Sequence, residues 1–137
     1  ARGIETENFN PSHFMTKEID IQIACNYLLH EMAKEYKFRH FHCPNEGKRK
    51  PQYQIKLKKM GLRKGCPDFI IEYPKGKLIY IELKNEHGKL SDAQKLWQIN
   101  SKYFETPHFI VKGGIKKCLE DISSIIINYV PIRKNTK

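Results

Sequence analysis

Hydrophobic residues recur every three or four positions in several stretches of the chain, which is the spacing of one face of a helix. The first stretch predicts a helix over residues 16–36, with Thr16 as its N-cap. Ser91-Asp92-Ala93-Gln94 matches a capping box and predicts a helix to about Phe104, and a last helix follows Gly113-Gly114. The apolar positions are Ile21, Ala24, Cys25, Leu28 and Met32 in the first helix, and Ile115, Leu119, Ile122, Ile126 and Tyr129 in the last. Each of these two helices is expected to bury one face.

Short runs rich in β-branched and aromatic residues predict strands. They cover residues 38–43, the two sides of the turn Pro74-Lys75-Gly76-Lys77, and residues 108–112. Residues 52–60 have helical spacing but carry several lysines. The order α, β, (α), β, β, α, β, α predicts an α/β domain in which helices flank a mixed sheet.

The two strands around this turn form a predicted antiparallel hairpin. Alternate residues of a strand point to opposite faces. One face is apolar, with Phe69, Ile71, Ile79, Ile81 and Leu83. Asp68, Glu82 and Lys84 share the other face. The register that buries the apolar set places Asp68 opposite Glu82, with Cβ atoms about 4.5–5.5 Å apart.

Two carboxylates this close repel each other unless a cation or a shared proton lies between them. Their hard oxygen atoms suit Mg²⁺ or Mn²⁺, and the ammonium of Lys84 can orient a water molecule or neutralise charge on a phosphate. This set of groups predicts phosphodiester hydrolysis. The alternative is an ordinary hairpin with charged strand ends, since Glu-x-Lys also occurs at Glu35-Tyr36-Lys37 and Glu46-Gly47-Lys48.

The formal net charge is +10, which indicates an anionic partner, nucleic acid before an acidic membrane surface. No acidic residue occurs between Lys48 and Lys64, just before Asp68. The cations of this stretch are therefore predicted to contact DNA phosphates, with a solvated charged face as the alternative. The residues predicted to bind nucleic acid are Lys48, Arg49, Lys50, Lys56, Arg63 and Lys64.

The four cysteines are widely scattered, so reduced thiols are expected. His40, His42 and Cys43 are candidate zinc ligands, but ordinary partly buried residues are favoured because no second cluster lies at zinc-finger spacing. No apolar run approaches the roughly 20 residues of a membrane span, and no signal peptide opens the chain. We therefore expect an intracellular protein, cytoplasmic in a bacterial or phage-infected cell.

Pro67-Asp68 followed by Glu82-Leu83-Lys84 resembles the PD-(D/E)XK nuclease signature. The longer string Gly61 to Asp68, then Ile81 to Lys84, then Gly88-Lys89-Leu90-Ser91 and Gln94, resembles the VRR-NUC domain, in particular its small stand-alone type in phages and bacteria. The resemblance implies a restriction-endonuclease-like core (αβββαβ) over residues 16–130. An N-terminal arm (1–15) and a basic C-terminal tail (131–137) are expected on either side.

The resemblance also implies roles for single residues. The catalytic set is Asp68, Glu82, Lys84 and Gln94, and the set that binds Mg²⁺ or Mn²⁺ is Glu18, Asp68, Glu82 and Leu83 through its main-chain carbonyl. From its position alone, Glu18 has a second interpretation, which is to complement the dipole of its helix, and Asp20 is a weaker candidate for the metal site. Gln94 either caps its helix or faces the metal site, and one side chain is not expected to do both.

The resulting prediction is a metal-dependent, structure-selective DNA endonuclease. The resemblance further implies a homodimer that acts like a Holliday-junction resolvase, with branched DNA as its favoured partner. One alternative is a catalytically silent DNA-binding module with the same fold. Another is a sequence-specific restriction-type endonuclease, for which the short chain leaves little room for a domain that reads bases.

Overall fold

The computed structural model describes residues 17–43 and 50–134. Along these residues lie α1 (Glu18–Met32), β1 (Arg39–His42), α2 (Pro51–Lys59), β2 (Phe69–Tyr73), β3 (Lys77–Lys84), α3 (Asp92–Tyr103), β4 (His108–Lys112) and α4 (Ile115–Tyr129). This succession confirms the predicted α/β order, including the basic helix α2. Helix α1 is shorter than predicted, with Lys17 as its N-cap and Ala33 as its C-cap. The predicted N-cap, Thr16, lies outside the described residues.

The described strands form a mixed sheet in the order β1-β2-β3-β4. The neighbours β1, β2 and β3 are antiparallel, whereas β3 and β4 are parallel because α3 carries the chain across. The β2–β3 hairpin turns through Lys75 and Gly76, whose φ angles are 70° and 69°. It pairs Phe69 with Ile81 and Ile71 with Ile79. The register predicted from side-chain parity is therefore confirmed.

Helices α1 and α4 form the hydrophobic core with one face of the sheet. All of the predicted apolar face of the hairpin is buried there: Phe69, Ile71, Ile79, Ile81 and Leu83. The prediction for α4 was partly wrong, because Ile115 and Tyr129 are exposed, whereas Cys118 and Ile125 are buried. Ile115 and Tyr129 are the first and last residues of the helix, where fewer neighbouring side chains are available to cover them.

Helix α3 lies on the opposite face of the sheet, where Trp97 packs edge-on against Tyr80 of β3 with ring centroids 5.9 Å apart. The loop that leads into β2 passes the first turn of this helix. Gly65 has a φ of +80°, and a Cβ at this position would lie 2.4 Å from the main-chain oxygen of Ala93. Only glycine fits such a close approach, so the loop is fixed against the start of α3.

The first residues of the predicted basic tail pair with the segment that follows α1. Arg133 Nε donates a hydrogen bond to the main-chain oxygen of Ala33 at 2.8 Å, and Ile132 forms an antiparallel bridge with Tyr36. The predicted arm, residues 1–15, and residues 135–137 lie outside the described part of the chain. Across the helices of residues 17–43 and 50–134, no segment is both long and apolar enough to cross a membrane.

Candidate active site

The side chains of Asp68 and Glu82 lie next to each other where β2 begins and β3 ends. The ladder pairs Phe69 with Ile81, so one further step away from the turn brings Asp68 opposite Glu82. Asp68 Oδ2 accepts a hydrogen bond from the main-chain N–H of Leu83 at 2.7 Å. Strand pairing and this bond together hold the two predicted carboxylates side by side.

The two oxygen atoms of Glu82, a residue only 2% exposed, have different surroundings. Oε2 accepts a hydrogen bond from Gln94 Nε2 at 2.9 Å and lies 4.0 Å from Lys84 Nζ. Oε1 is buried without a hydrogen-bond partner in the described part of the chain. Burial, followed by the adjoining Asp68 carboxylate, raises the pKa of Glu82 from 4.5 to about 9, against the opposing effect of Lys84. Lys84 alone therefore does not balance two ionised carboxylates at this position.

Gln94 has both of the roles that were expected to exclude each other. Its main-chain N–H donates to Ser91 Oγ at 3.1 Å and its Oε1 accepts from the main-chain N–H of Ser91 at 2.9 Å, which completes the capping box of α3. The Nε2 of the same side chain donates to Glu82. The expectation of a single role was wrong because the oxygen and the nitrogen of one amide bind different partners. Gln94 thus links the start of α3 directly to Glu82.

Glu18 reaches this end of the sheet from the first turn of α1. Its Oε2 accepts a hydrogen bond from the main-chain N–H of Asn85 at 3.4 Å. A Cβ on Gly88 would lie 2.9 Å from that oxygen and 3.1 Å from Lys84 Cδ, so the glycine leaves room for both side chains. The negative charge of Glu18 contributes to the raised pKa of Glu82, after burial and Asp68. Asp20, the weaker candidate, is exposed.

These carboxylates form part of a candidate metal site, but within the described residues they do not form a complete one. Among residues 17–43 and 50–134, no three side chains of His, Cys, Asp or Glu stand close enough together to hold an ion as they are. The donor chemistry nevertheless fits a hard cation, because Asp68 and Glu82 adjoin each other and the buried Oε1 of Glu82 has no partner within those residues. Mg²⁺ and Mn²⁺ are the ions that such oxygen ligands suit.

The histidines of β1, considered as zinc ligands from the sequence, have other partners. His40 Nε2 lies 2.9 Å from Asn26 Oδ1, and His42 Nδ1 lies 2.7 Å from the main-chain oxygen of Asp68. The N–H of Cys43 donates to that same oxygen at 3.3 Å. The described residues therefore give no support to a zinc site. The sequence did not indicate that His42 holds Asp68, because no local pattern specifies how β1 pairs with β2.

A cleft of about 1050 Å³ opens beside Asp68, between α2 with its following loop and the start of α3. Of the residues predicted to bind nucleic acid, Arg63 and Lys64 line this cleft, whereas Lys50 and Lys56 do not. Lys48, Arg49 and the preceding Pro44-Asn45-Glu46-Gly47 loop lie outside the described residues. The two cations that line the cleft are the predicted ones nearest to Asp68 in sequence, and their binding to nucleic acid stays a prediction.

The cleft-facing side of α2 also carries a cation that was not among the predicted site residues. Pro51, Gln54, Ile55 and Lys58 line the cleft and follow one another at intervals of three, one and three residues, which is one face of a helix. Lys58 is thus the cation of α2 that lines the cleft beside Asp68. Lys58 lies three residues after Ile55 and therefore on the same helical face, whereas Lys56 directly follows Ile55 and points elsewhere. This spacing is how the sequence could have distinguished the two lysines.

Two comparisons with known proteins identify the family and the fold of this chain. The family model of the VRR-NUC domain matches residues 18–113. A solved structure of a VRR_NUC domain aligns with a TM-score of 0.52 over 83% of this chain and 97% of that one, at 17% sequence identity, which shows a shared fold. No curated protein matches the sequence. Because the family model spans more than half of its length, the chain belongs to the VRR-NUC domain family, a family of nuclease domains.

Proposed function

We propose that this protein is a Mg²⁺- or Mn²⁺-dependent endonuclease that selects DNA by structure more than by sequence. The observation that carries the proposal is the environment of Glu82, a buried carboxylate between Asp68 and Lys84. Its Oε1 is unpartnered among the described residues, and the cleft at Asp68 is lined by cations. Membership of a nuclease family supports the reaction class.

The ligands that would hold the ion are Asp68, Glu82 and the main-chain carbonyl of Leu83, with Glu18 acting directly or through water. The N–H and C=O of one residue in an extended strand point to the same side. Since the N–H of Leu83 points to Asp68, its carbonyl is directed towards the same side of β3. A divalent ion at this position supplies Lewis acidity and lowers the pKa of a bound water.

Lys84 would orient the attacking water or neutralise charge that develops on the phosphate. Its side chain is only 12% exposed, and its Nζ lies 4.0 Å from Glu82 Oε2, so the amine is held inside the site. Gln94 is a positioning residue, because its bond to Oε2 of Glu82 fixes which oxygen of that carboxylate remains available. Lys58, Arg63 and Lys64 would bind the DNA backbone along the cleft.

The finer part of the proposal concerns the substrate and the assembly. We favour branched DNA, with four-way junctions first, and a homodimer whose two sites cut opposite strands. The similarity to small stand-alone VRR-NUC domains supports both points. Cations that bind phosphate fix a protein on DNA without reading its sequence, which favours recognition by shape.

The test is cleavage of four-way, flap and linear DNA by Asp68→Ala and Lys84→Ala variants, with and without Mg²⁺. Both variants should lose cleavage at least about a hundredfold, because each lacks a group that acts on the reacting phosphate, while DNA binding stays within about threefold. Lys77→Ala is the matched control, since Lys77 lies at the exposed, distant end of the same strand. Retained cleavage in both site variants would rule out the assignment.

A second candidate function is a DNA-binding module without catalysis. It is favoured by the finding that no three potential ligands within residues 17–43 and 50–134 form a ready metal site. Wild-type protein that binds branched DNA but leaves it intact in both Mg²⁺ and Mn²⁺ would establish this function. Discrete fragments from plasmid DNA would instead indicate a sequence-specific restriction-type enzyme.

A further inference from the structure

The cleft beside Asp68 has an apolar wall as well as cations. Ile55, Leu57 and Leu62 line it together with Lys58 and Arg63. Helix α2, which carries the first two, buries none of its residues. Ile55 is 57% exposed. These side chains therefore do not belong to the hydrophobic core, and an apolar wall at a DNA-cleaving site requires another explanation.

The charge around this wall points to a nucleic acid as its occupant. From Lys50 to Pro67 the chain carries no acidic residue, and the last turn of α2 has three lysines. Such a density of cations repels basic surfaces and attracts a polyanion such as nucleic acid. The wall and the cations line the same cleft, so one ligand is expected to contact both.

An intact duplex does not suit an apolar wall. Its outer surface is sugar and phosphate, and its base faces are covered by stacking. An unstacked base exposes an apolar face, and stacking against protein side chains contributes about 1–3 kcal/mol per base when the side chain is aromatic. Isoleucine and leucine are among the side chains that DNA-binding proteins insert between base steps, and in a duplex this insertion costs roughly a few kcal/mol of unstacking for each step.

We infer that Ile55 and Leu62 contact an unstacked base next to the cleaved phosphodiester, and thereby select DNA with a flap or branch over intact duplex. The inference rests on the proposed nuclease function and identifies the residues that set its substrate class. Lys58 and Arg63 hold the backbone on either DNA, so they contribute affinity without discrimination. Selectivity comes from the apolar contact, which interrupted DNA provides without the cost of unstacking a duplex.

The experiment compares kcat/KM for a flap substrate and for an intact duplex of the same sequence. Ile55→Ser should lower the flap-to-duplex ratio about tenfold, which corresponds to about 1.4 kcal/mol of lost contact. Met60→Ser is the matched control, because Met60 follows α2 and is 73% exposed but does not line the cleft. Lys58→Ala should lower both values by the same factor and leave the ratio unchanged.

A binding measurement without metal makes the test independent of cleavage. The flap DNA carries 2-aminopurine at the branch point, and its fluorescence rises when the base is unstacked. Wild type and Met60→Ser should raise the fluorescence on binding, whereas Ile55→Ser should bind with a smaller rise. An unchanged ratio together with an unchanged fluorescence rise in Ile55→Ser overturns the inference and leaves the nuclease proposal standing. Absence of cleavage by wild type on every DNA refutes the nuclease proposal, on which the inference depends.

Discussion

Each oxygen atom of Glu82 has a separate position in the site. Gln94 and Lys84 lie on the side of Oε2, and Oε1 has no partner in the part of the chain that the structure describes. A buried carboxylate oxygen without a hydrogen-bond partner raises the free energy of the folded protein. The hydrogen bond from Gln94 keeps the side chain in one orientation despite that cost. In this orientation Oε1 is available to a ligand from outside the described residues, although its burial destabilises the fold.

The raised pKa of Glu82 predicts how stability depends on pH in metal-free protein. Burial and Asp68 raise the pKa of Glu82 from 4.5 to about 9. Below pH 4.5 the side chain is protonated in both the folded and the unfolded state, and its contribution to the free energy of unfolding is fully present. This contribution is lost as the pH rises towards 9, because the unfolded chain releases a proton that the folded protein retains. Glu82→Gln keeps a neutral side chain at every pH. In EDTA at pH 8.5 this variant should unfold at a higher temperature than wild type, by on the order of 1 kcal/mol or about 3–5 °C. Near pH 4.5 the two should differ little.

The control for this prediction is Glu72→Gln, at the far end of the same hairpin, where Glu72 pairs with Arg39. It should keep the wild-type dependence of Tm on pH between 5 and 9. Mg²⁺ should raise the Tm of wild type, most strongly at high pH, and should have little effect on Glu82→Gln. If the curves of Tm against pH for wild type and Glu82→Gln run parallel between pH 5 and 9, the pKa of Glu82 is not raised and the prediction is wrong.

At the scale of elements, the first turn of α3 is linked to β3, the strand that carries Glu82. Its capping box and its contact with Glu82 use the same residue, Gln94. The loop before Asp68 passes so close to the first turn of α3 that a Cβ on Gly65 would lie 2.4 Å from the main-chain oxygen of Ala93. The first turn of α3 therefore contacts both segments that carry the carboxylates, in addition to the strand pairing that holds them side by side.

Variants of the cap should separate the two functions of Gln94. Gln94→Glu keeps an acceptor for the N–H of Ser91, as in other capping boxes, but replaces the donor to Glu82 with a carboxylate. It should cut DNA about ten- to a hundredfold more slowly because Glu82 loses its orientation, with an unchanged amount of helix by circular dichroism. Ser91→Ala loses the hydroxyl cap and about 1 kcal/mol of stability, and should still cut at nearly the wild-type rate. Equal losses of activity in the two variants would contradict a separate positioning role.

The hairpin and the order of elements could be predicted from sequence because they depend on local patterns. Side-chain parity fixes which residues share a face, so the pairing across the β2–β3 turn followed from the apolar set alone. The dual role of Gln94 could not be predicted, because it depends on the packing of α3 against the sheet. The same holds for His42, whose contact with Asp68 arises from pairing between β1 and β2, distant segments of the chain.

At the scale of the whole molecule, only part of the net charge of +10 belongs to residues that line the cleft, where we propose that DNA binds. Lys58 and Arg63 line the cleft, whereas Lys56 lies on the same helix as Lys58 but does not. A lysine that contacts a phosphate releases a counterion on binding, and each such contact changes the slope of log K against log salt by about 0.9 on duplex DNA. The number of contacts can therefore be counted without knowing the sequence that is bound.

Lys58→Ala and Lys56→Ala make a matched pair for that count, since they remove the same charge from one helix two residues apart. Lys58→Ala should reduce the magnitude of the salt slope by about 0.9, whereas Lys56→Ala should leave it nearly unchanged, because a charge that does not face the cleft has no phosphate contact to lose. Fluorescence anisotropy with labelled duplex between about 50 and 200 mM salt measures both slopes. If Lys56→Ala changes the slope as much as Lys58→Ala, the DNA lies across the outer face of α2. The cleft beside Asp68 would then not be the surface on which DNA is held.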